Sequence, residues 1–155
     1  MRSIYKFFVD VGRHGDIEAT FTADAENIDF AIGKTVCFYE PWVKHYGCTV
    51  TLEPDMFSIV SSDPQKVATF DEVKLSPGEN PLGLLCDFIA DGRVELTLEE
   101  AEKAPPYFKK AVEKQLAMKR EYEKYVHAGK PNGCKQNDAF WTQKKLGNTD
   151  EKPSP

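Results

Sequence analysis

Apolar and polar positions alternate along the first part of the chain, and this pattern predicts β-strands. In "SIYKFFVDV" apolar residues recur at every second position from Tyr5, and "DIEATFT" repeats the alternation from Ile17 to Phe21. A period of two places alternate side chains on opposite faces of a strand. Between the two runs lies "GRHG", whose glycines accept the positive φ that short loops require. We therefore predict a β-hairpin with one strongly apolar face.

A second hairpin is predicted from "TVCFYE" and "YGCTVTLE", which flank the loop "PWVKH". If the loop is centred on "WV", Glu40 lies opposite His45, and Cys37 lies opposite Cys48 with both thiols facing inward. "DMFSIVSS" follows as a further strand after the turn "EPD". The early part of the chain therefore supplies the strands of an antiparallel sheet.

Two short helices are predicted among and after these strands. In "DAENIDFAIGK", Asp24 can act as the N-cap and Gly33 closes the helix. In "SDPQKVATFDEV", a helix can begin after Ser62 or Asp63 with Pro64 in its first turn. Both segments carry their own start signals.

The C-terminal half is predicted to be helical. One helix begins at the N-cap Asn80 and stops before Gly92, and a second begins with a capping box formed by Thr97 and Glu100. After a Pro-Pro pair, good helix formers run from Tyr107 to about His127 with an apolar stripe along one face. That stripe can cover the sheet of its own chain or pair with a second copy in a homodimer.

Strands early and helices late predict an α+β fold, in which an antiparallel sheet of two N-terminal hairpins is packed by C-terminal helices. A chain of 155 residues suits one domain, which we place at residues 1–128. Residues 129–155 are polar and rich in Gly and Pro, so we predict a mostly disordered tail there.

The net charge of −5 is unevenly distributed. Residues 1–100 carry 8 Lys and Arg against 18 Asp and Glu, a net charge of −10, whereas residues 101–155 carry 12 against 7, a net charge of +5. An acidic surface repels phosphate backbones, so nucleic acid is disfavoured as a partner of the body.

Other classes of protein are also disfavoured. No window approaches the roughly 18 consecutive apolar residues of a membrane-spanning helix, and the N-terminal stretch lacks a signal-peptide core, so we expect a cytoplasmic protein without membrane contact. The four cysteines form no C-x-x-C pair, which favours reduced thiols over disulfides or zinc. We expect no cofactor and no metal.

The first candidate site is the tip of the first hairpin, where Arg13 and His14 stand in an exposed loop. The planar guanidinium of an arginine suits an anionic partner. The nearby carboxylates of Asp10, Asp16 and Glu18 can gather a divalent cation or act in acid-base chemistry, but a hard cation needs about six oxygen ligands. A solvated hairpin is the simpler interpretation.

The second candidate site is the loop that contains Trp42, Lys44 and His45. Aromatic residues in an exposed loop favour a protein-binding or stacking surface. Glu40 can tune His45 for proton transfer, yet no nucleophile or oxyanion site accompanies the pair. The alternative is that Trp42 folds back on the core.

In the tail, Trp141 in "DAFWTQKKLG" is either part of a docking motif or packs on its own domain. The succession of "GRHGDIE", "IGKTVCFYE" and "KHYG", over about the first third of the chain, resembles small uncharacterised proteins of bacteria and their viruses. The resemblance implies a prokaryotic or phage accessory role and no activity.

The sequence has no P-loop, no HExxH motif and no GxGxxG after a strand. We therefore favour a small accessory protein without enzymatic activity. It would bind an unidentified protein through its hairpin loops (Arg13, His14; Trp42, Lys44, His45) and its C-terminal segment. The alternative is a binder of a small anionic ligand, or an enzyme, that uses Arg13 together with Glu40 and His45.

Overall fold

A computed structural model describes residues 1–39, 47–73 and 78–127, and the fold is α+β as predicted. The strands come from the N-terminal part of the chain and most of the helices from the C-terminal part. One compact unit, Met1–Met118, contains both sheets. The second unit begins at Lys119, and its described part is the end of the last helix.

The first hairpin pairs strand β1 (Arg2–Asp10) with strand β2 (Asp16–Asp24) in a regular antiparallel register. Asp10 lies opposite Asp16 at the loop end. The apolar set of the alternation is buried away from the loop, with Phe7 and Phe21 almost completely inaccessible to solvent, and half-buried at Val9, Val11 and Ile17 near the loop. The predicted hairpin and its apolar face are confirmed.

The second hairpin pairs β3 (Thr35–Tyr39) with β4 (Gly47–Thr51), but the predicted register is wrong by one residue. Phe38, not Cys37, lies opposite Cys48. A shift of one residue would turn the buried Phe38 to the other face, where its apolar surface would be lost to the core. The predicted pair of Glu40 and His45 lies outside the described residues.

Strand β5 (Phe57–Ser61) follows a 3-10 turn at Pro54–Met56 and pairs antiparallel with β1, so the first sheet has the order β2, β1, β5. The β3 and β4 strands form a separate two-stranded sheet. The register between β1 and β5 shifts between Ile4 and Tyr5. Because β1 lies between β2 and β5, strand β5 joins the first hairpin on the side opposite to β2.

Five α-helices complete the described fold: α1 (Ala25–Ala31), α2 (Pro64–Val73), α3 (Pro81–Ala90), α4 (Leu98–Glu102) and α5 (Pro106–His127). The side chain of Asn80 accepts a hydrogen bond from the backbone N–H of Leu82 at 2.9 Å, as expected of an N-cap. The capping box of Thr97 and Glu100 makes both of its reciprocal hydrogen bonds. These two predicted caps are confirmed, whereas Asp24 stands at the N-cap position of α1 without a side-chain hydrogen bond to the helix.

Aromatic side chains connect the layers of the core. The Phe7 ring of β1 lies 5.7 Å from that of Phe38 and 5.2 Å from that of Phe57, measured between ring centroids. On another side of the core, Phe108 at the start of α5 packs against Phe30 at 4.8 Å. The first turns of α5 therefore cover the core of their own chain.

A buried glutamine holds the loop after α3 in place. Nε2 of Gln115 donates to the carbonyl oxygens of Ile89 and Val94, at 3.0 and 2.6 Å. Its Oε1 accepts from the backbone N–H of Leu96 at 3.4 Å. Because buried backbone groups need partners, this side chain fixes the loop against α5.

Candidate functional site

The tip of the first hairpin is a compact turn. Its short 3-10 segment spans Gly12–His14, and the N–H of Val11 donates to the carbonyl of Gly15 at 3.0 Å. The carboxylate of Asp10 accepts a hydrogen bond from the N–H of Gly12 at 2.7 Å. Arg13 is exposed at this tip. The side chain of His14 lies outside the described part.

The carboxylates of this hairpin do not assemble a metal site. Glu18 pairs with Lys6, whose Nζ lies 3.4 Å from Oε1, and Asp10 is engaged in the turn. Among the described residues, no group of three or more His, Cys, Asp and Glu side chains is arranged to hold a metal ion. Asp10, Asp16 and Glu18 therefore act as the polar face of a hairpin.

The other predicted site residues, Trp42, Lys44, His45 and Trp141, lie outside the described residues. Their contribution stays a prediction. Within the described ranges, no helix is both long enough and apolar enough to cross a bilayer.

The structure does not bring Cys37 and Cys48 together. Because Cys48 is opposite Phe38 while Cys37 is opposite Thr49, the two thiols lie on opposite faces of the hairpin. In α3, burial, reinforced by the charge of Asp87, raises the pKa of Cys86 to about 11, so this thiol stays protonated and unreactive near neutral pH. All three side chains are half-buried and pack against the core.

A cleft of about 630 Å³ lies between the β3–β4 hairpin and the loop after α3, and no pattern in the sequence predicts it. Its polar lining includes Lys34, Cys37, Thr49, Arg93 and Glu100.

The positive charges of this cleft are held by the protein's own groups. Nζ of Lys34 donates to the carbonyl of Phe30 at 2.7 Å and lies 3.3 Å from Oε1 of Glu100. The guanidinium of Arg93 lies over the ring of Phe88, at 4.7 Å from its centroid. These contacts stabilise the loop and identify no particular ligand.

A different surface stands out at the edge of the first sheet. Strand β5 is hydrogen-bonded on one side to β1, and no other described strand lies on its second side. Ile59 and Val60 are each 61% exposed. The strand carries no charged residue and no proline, the two side-chain features that most often protect an edge.

The opposite edge of the same sheet is approached by another segment. A Cβ atom placed on Gly78 would lie 2.0 Å from the backbone oxygen of Glu18 in β2, so the chain passes directly against that strand. The two edges therefore differ: a backbone segment packs against β2, while no other described strand pairs with the outer side of β5.

Charged residues stand at both ends of the exposed strand. Glu53 and Asp55 come before it and Asp63 follows it, and all three are exposed. The carboxylate of Asp63 accepts a hydrogen bond from the N–H of Gln65 at 2.9 Å, which holds it at the start of α2. We call β5 with these three residues the β5 edge.

No family model matches the chain, and neither curated proteins nor solved structures provide a match.

Proposed function

We propose that this protein is a small interaction protein that binds another protein by strand addition at the β5 edge. The observation that carries the proposal is the exposure of Ile59 and Val60 on an edge strand without charge or proline. Apolar side chains at these positions contribute nothing to the core.

The backbone of β5 can take part in binding as well as its side chains. An edge strand presents unpaired N–H and C=O groups, and an extended segment of a partner can satisfy them while its side chains contact the exposed apolar residues. The register shift between Ile4 and Tyr5 makes Val60 the extra residue of β5, and Phe57 to Ile59 keep regular pairing with β1. A partner strand would therefore meet a regular edge over these residues.

The sites predicted from the sequence add to this proposal. Arg13 is exposed at the hydrogen-bonded turn of the first hairpin and is suited to an anionic group of the partner. Trp42, Lys44 and His45 in the second hairpin loop, and Trp141 in the C-terminal segment, would provide further contacts. A prokaryotic or phage accessory role fits such a protein.

Site-specific crosslinking tests the proposal. A photoreactive amino acid at position 59 should crosslink a protein partner in cells that encode this chain. The same group at Leu98, which is 76% exposed in α4, is the control and should give no such adduct. Ile59→Lys should abolish co-purification of the partner, because a charge on the edge opposes strand addition, whereas Leu98→Lys should not.

Two outcomes would contradict this assignment. If the partner is retained by Ile59→Lys and lost in Trp42→Ala, the binding surface is the second hairpin loop. If no partner is crosslinked from either position, the proposal of strand addition fails.

The alternative proposal, a binder of small anionic ligands, rests on Arg13 with Glu40 and His45. Native mass spectrometry of protein purified without chelator tests it. An added mass that disappears on denaturation and is absent from Arg13→Ala would support this alternative, whereas the bare mass of the chain would contradict it.

A further inference from the structure

We propose that the β5 edge selects an extended apolar segment flanked by Lys or Arg, and that its acidic ends reject a second copy of this chain. The inference rests on the proposed function and names the chemistry of the partner. It is carried by the placement of charge around the exposed strand.

Carboxylates stand at both ends of the exposed strand. Glu53 and Asp55 lie at the end where β5 begins, and Asp63 lies just beyond its last residue, Ser61. The five residues between them are uncharged. An added strand that spans β5 would therefore bring its own flanking residues close to carboxylates at both ends.

The carboxylates at the ends of β5 are close enough to act on the charged residues of an added strand. Neighbouring strands lie about 5 Å apart, and screening by physiological salt acts over about 8 Å. A lysine or arginine that flanks the added strand would thus be attracted, and an aspartate or glutamate would be repelled. Among the described lysines near this strand, Lys6 pairs with Glu18, and Lys66 follows Asp63 by three residues in α2, so the end that carries Glu53 and Asp55 keeps the larger negative charge.

A second copy of the chain could also offer its own β5 strand to the β5 edge. Antiparallel pairing of two β5 strands about Ile59 would bring the end of one copy that carries Asp55, in the 3-10 turn before the strand, next to the end of the other copy that carries Asp63, twice in the dimer. Like charges directly opposite each other destabilise strand pairing. The same carboxylates that attract a basic segment therefore oppose edge-to-edge dimers.

Two synthetic peptides test the charge rule on the full chain. Both alternate threonine and valine over six residues, and one carries two lysines at each end while the other carries two glutamates. Fluorescence anisotropy of the labelled peptides should show the lysine-flanked peptide binding about tenfold more tightly at low salt, with the difference shrinking at 0.5 M salt. Equal affinities, or no binding of either peptide, would overturn the inference.

Reversing the charge at the end where β5 begins gives a second test of the peptide preference. In Glu53→Lys/Asp55→Lys the preference for the lysine-flanked peptide should be lost. This variant should also dimerise in sedimentation velocity experiments, because its basic end would match the Asp63 end of another copy. The control, Glu102→Lys/Glu113→Lys, makes the same change of net charge at exposed helical positions and should stay monomeric with unchanged peptide preference.

Two results distinguish a failure of the charge rule from a failure of strand addition. A wild-type dimer that dissociates in Ile59→Lys would overturn the inference, because the occupant would then be a second copy. If position 59 crosslinks a protein partner while the two peptides bind equally, strand addition stands and the charge rule is wrong.

Discussion

Gly78 illustrates how one residue can depend on a distant part of the chain. Its φ of +85° lies in the left-handed region, and its Cα faces the backbone of Glu18 in β2. The segment "SPGEN" indicates a turn, since glycine and proline favour one. Nothing in that segment indicates a contact with a strand sixty residues earlier.

We predict that Gly78→Ala lowers the free energy of unfolding by more than about 2 kcal/mol, because the new Cβ adds a backbone clash to the cost of positive φ. Gly12→Ala is the matched control. Gly12 also has positive φ, but a Cβ there would meet nothing within 4 Å, so about 1 kcal/mol is expected. Urea unfolding followed by circular dichroism measures both, and equal losses would mean that the close approach to β2 is not maintained.

The starts of the helices could be predicted from short sequence signals, whereas the pairing of the strands could not. The capping box of α4 involves residues three positions apart, and both of its hydrogen bonds form. The register of β3 and β4 instead depends on which apolar residues the core accepts. Because the sequence does not show on which residues the hairpin loop is centred, two registers of β3 and β4 are possible. The burial of Val36 and Phe38 decides between them.

Glu100 gives α4 a predictable dependence on pH. The backbone N–H of Thr97 donates to its carboxylate, and this hydrogen bond, with further ones from the Thr97 hydroxyl and Lys34, holds the pKa of Glu100 below its ordinary value of 4.5. A lowered pKa means that the ionised form is favoured by folding, so its stabilising effect is present above pH 4.5 and is lost as the pH falls through the lower, folded-state pKa.

We therefore expect Glu100→Gln to be less stable than the wild type at pH 6, with the difference shrinking as the pH falls below about 4.5. The free energy of urea unfolding, measured from pH 6 to pH 3, provides the test. Glu102→Gln, an exposed residue of the same helix, is the control for the change in charge. A difference that does not depend on pH would show that the ionised carboxylate is not the stabilising form.

In the part of the chain that the structure describes, all buried residues lie between Ser3 and Gln115. The second unit, from Lys119 onwards, contributes none of them within its described portion. The domain limit at residue 128, inferred from composition, stays a prediction.

A protein ending at residue 128 should consequently unfold with the same free energy as the full chain, within about 0.5 kcal/mol. A protein ending at residue 110 loses Ala111, Val112 and Gln115 and should show no cooperative transition. Thermal and urea unfolding distinguish the two. If removal of residues 129–155 costs more than about 2 kcal/mol, the C-terminal segment packs on the domain.

The sequence by itself determined the types and approximate limits of the elements, the apolar face of the first hairpin and the position of Arg13 at its tip. These features depend on periodicity and on residues a few positions apart. Only the tertiary structure decided that β5 pairs with β1, that Gly78 packs against β2 and that Lys34 and Arg93 line one cleft. Each of these requires contacts between residues distant in the chain, and the exposed edge of β5 became recognisable only after the order of the strands was known.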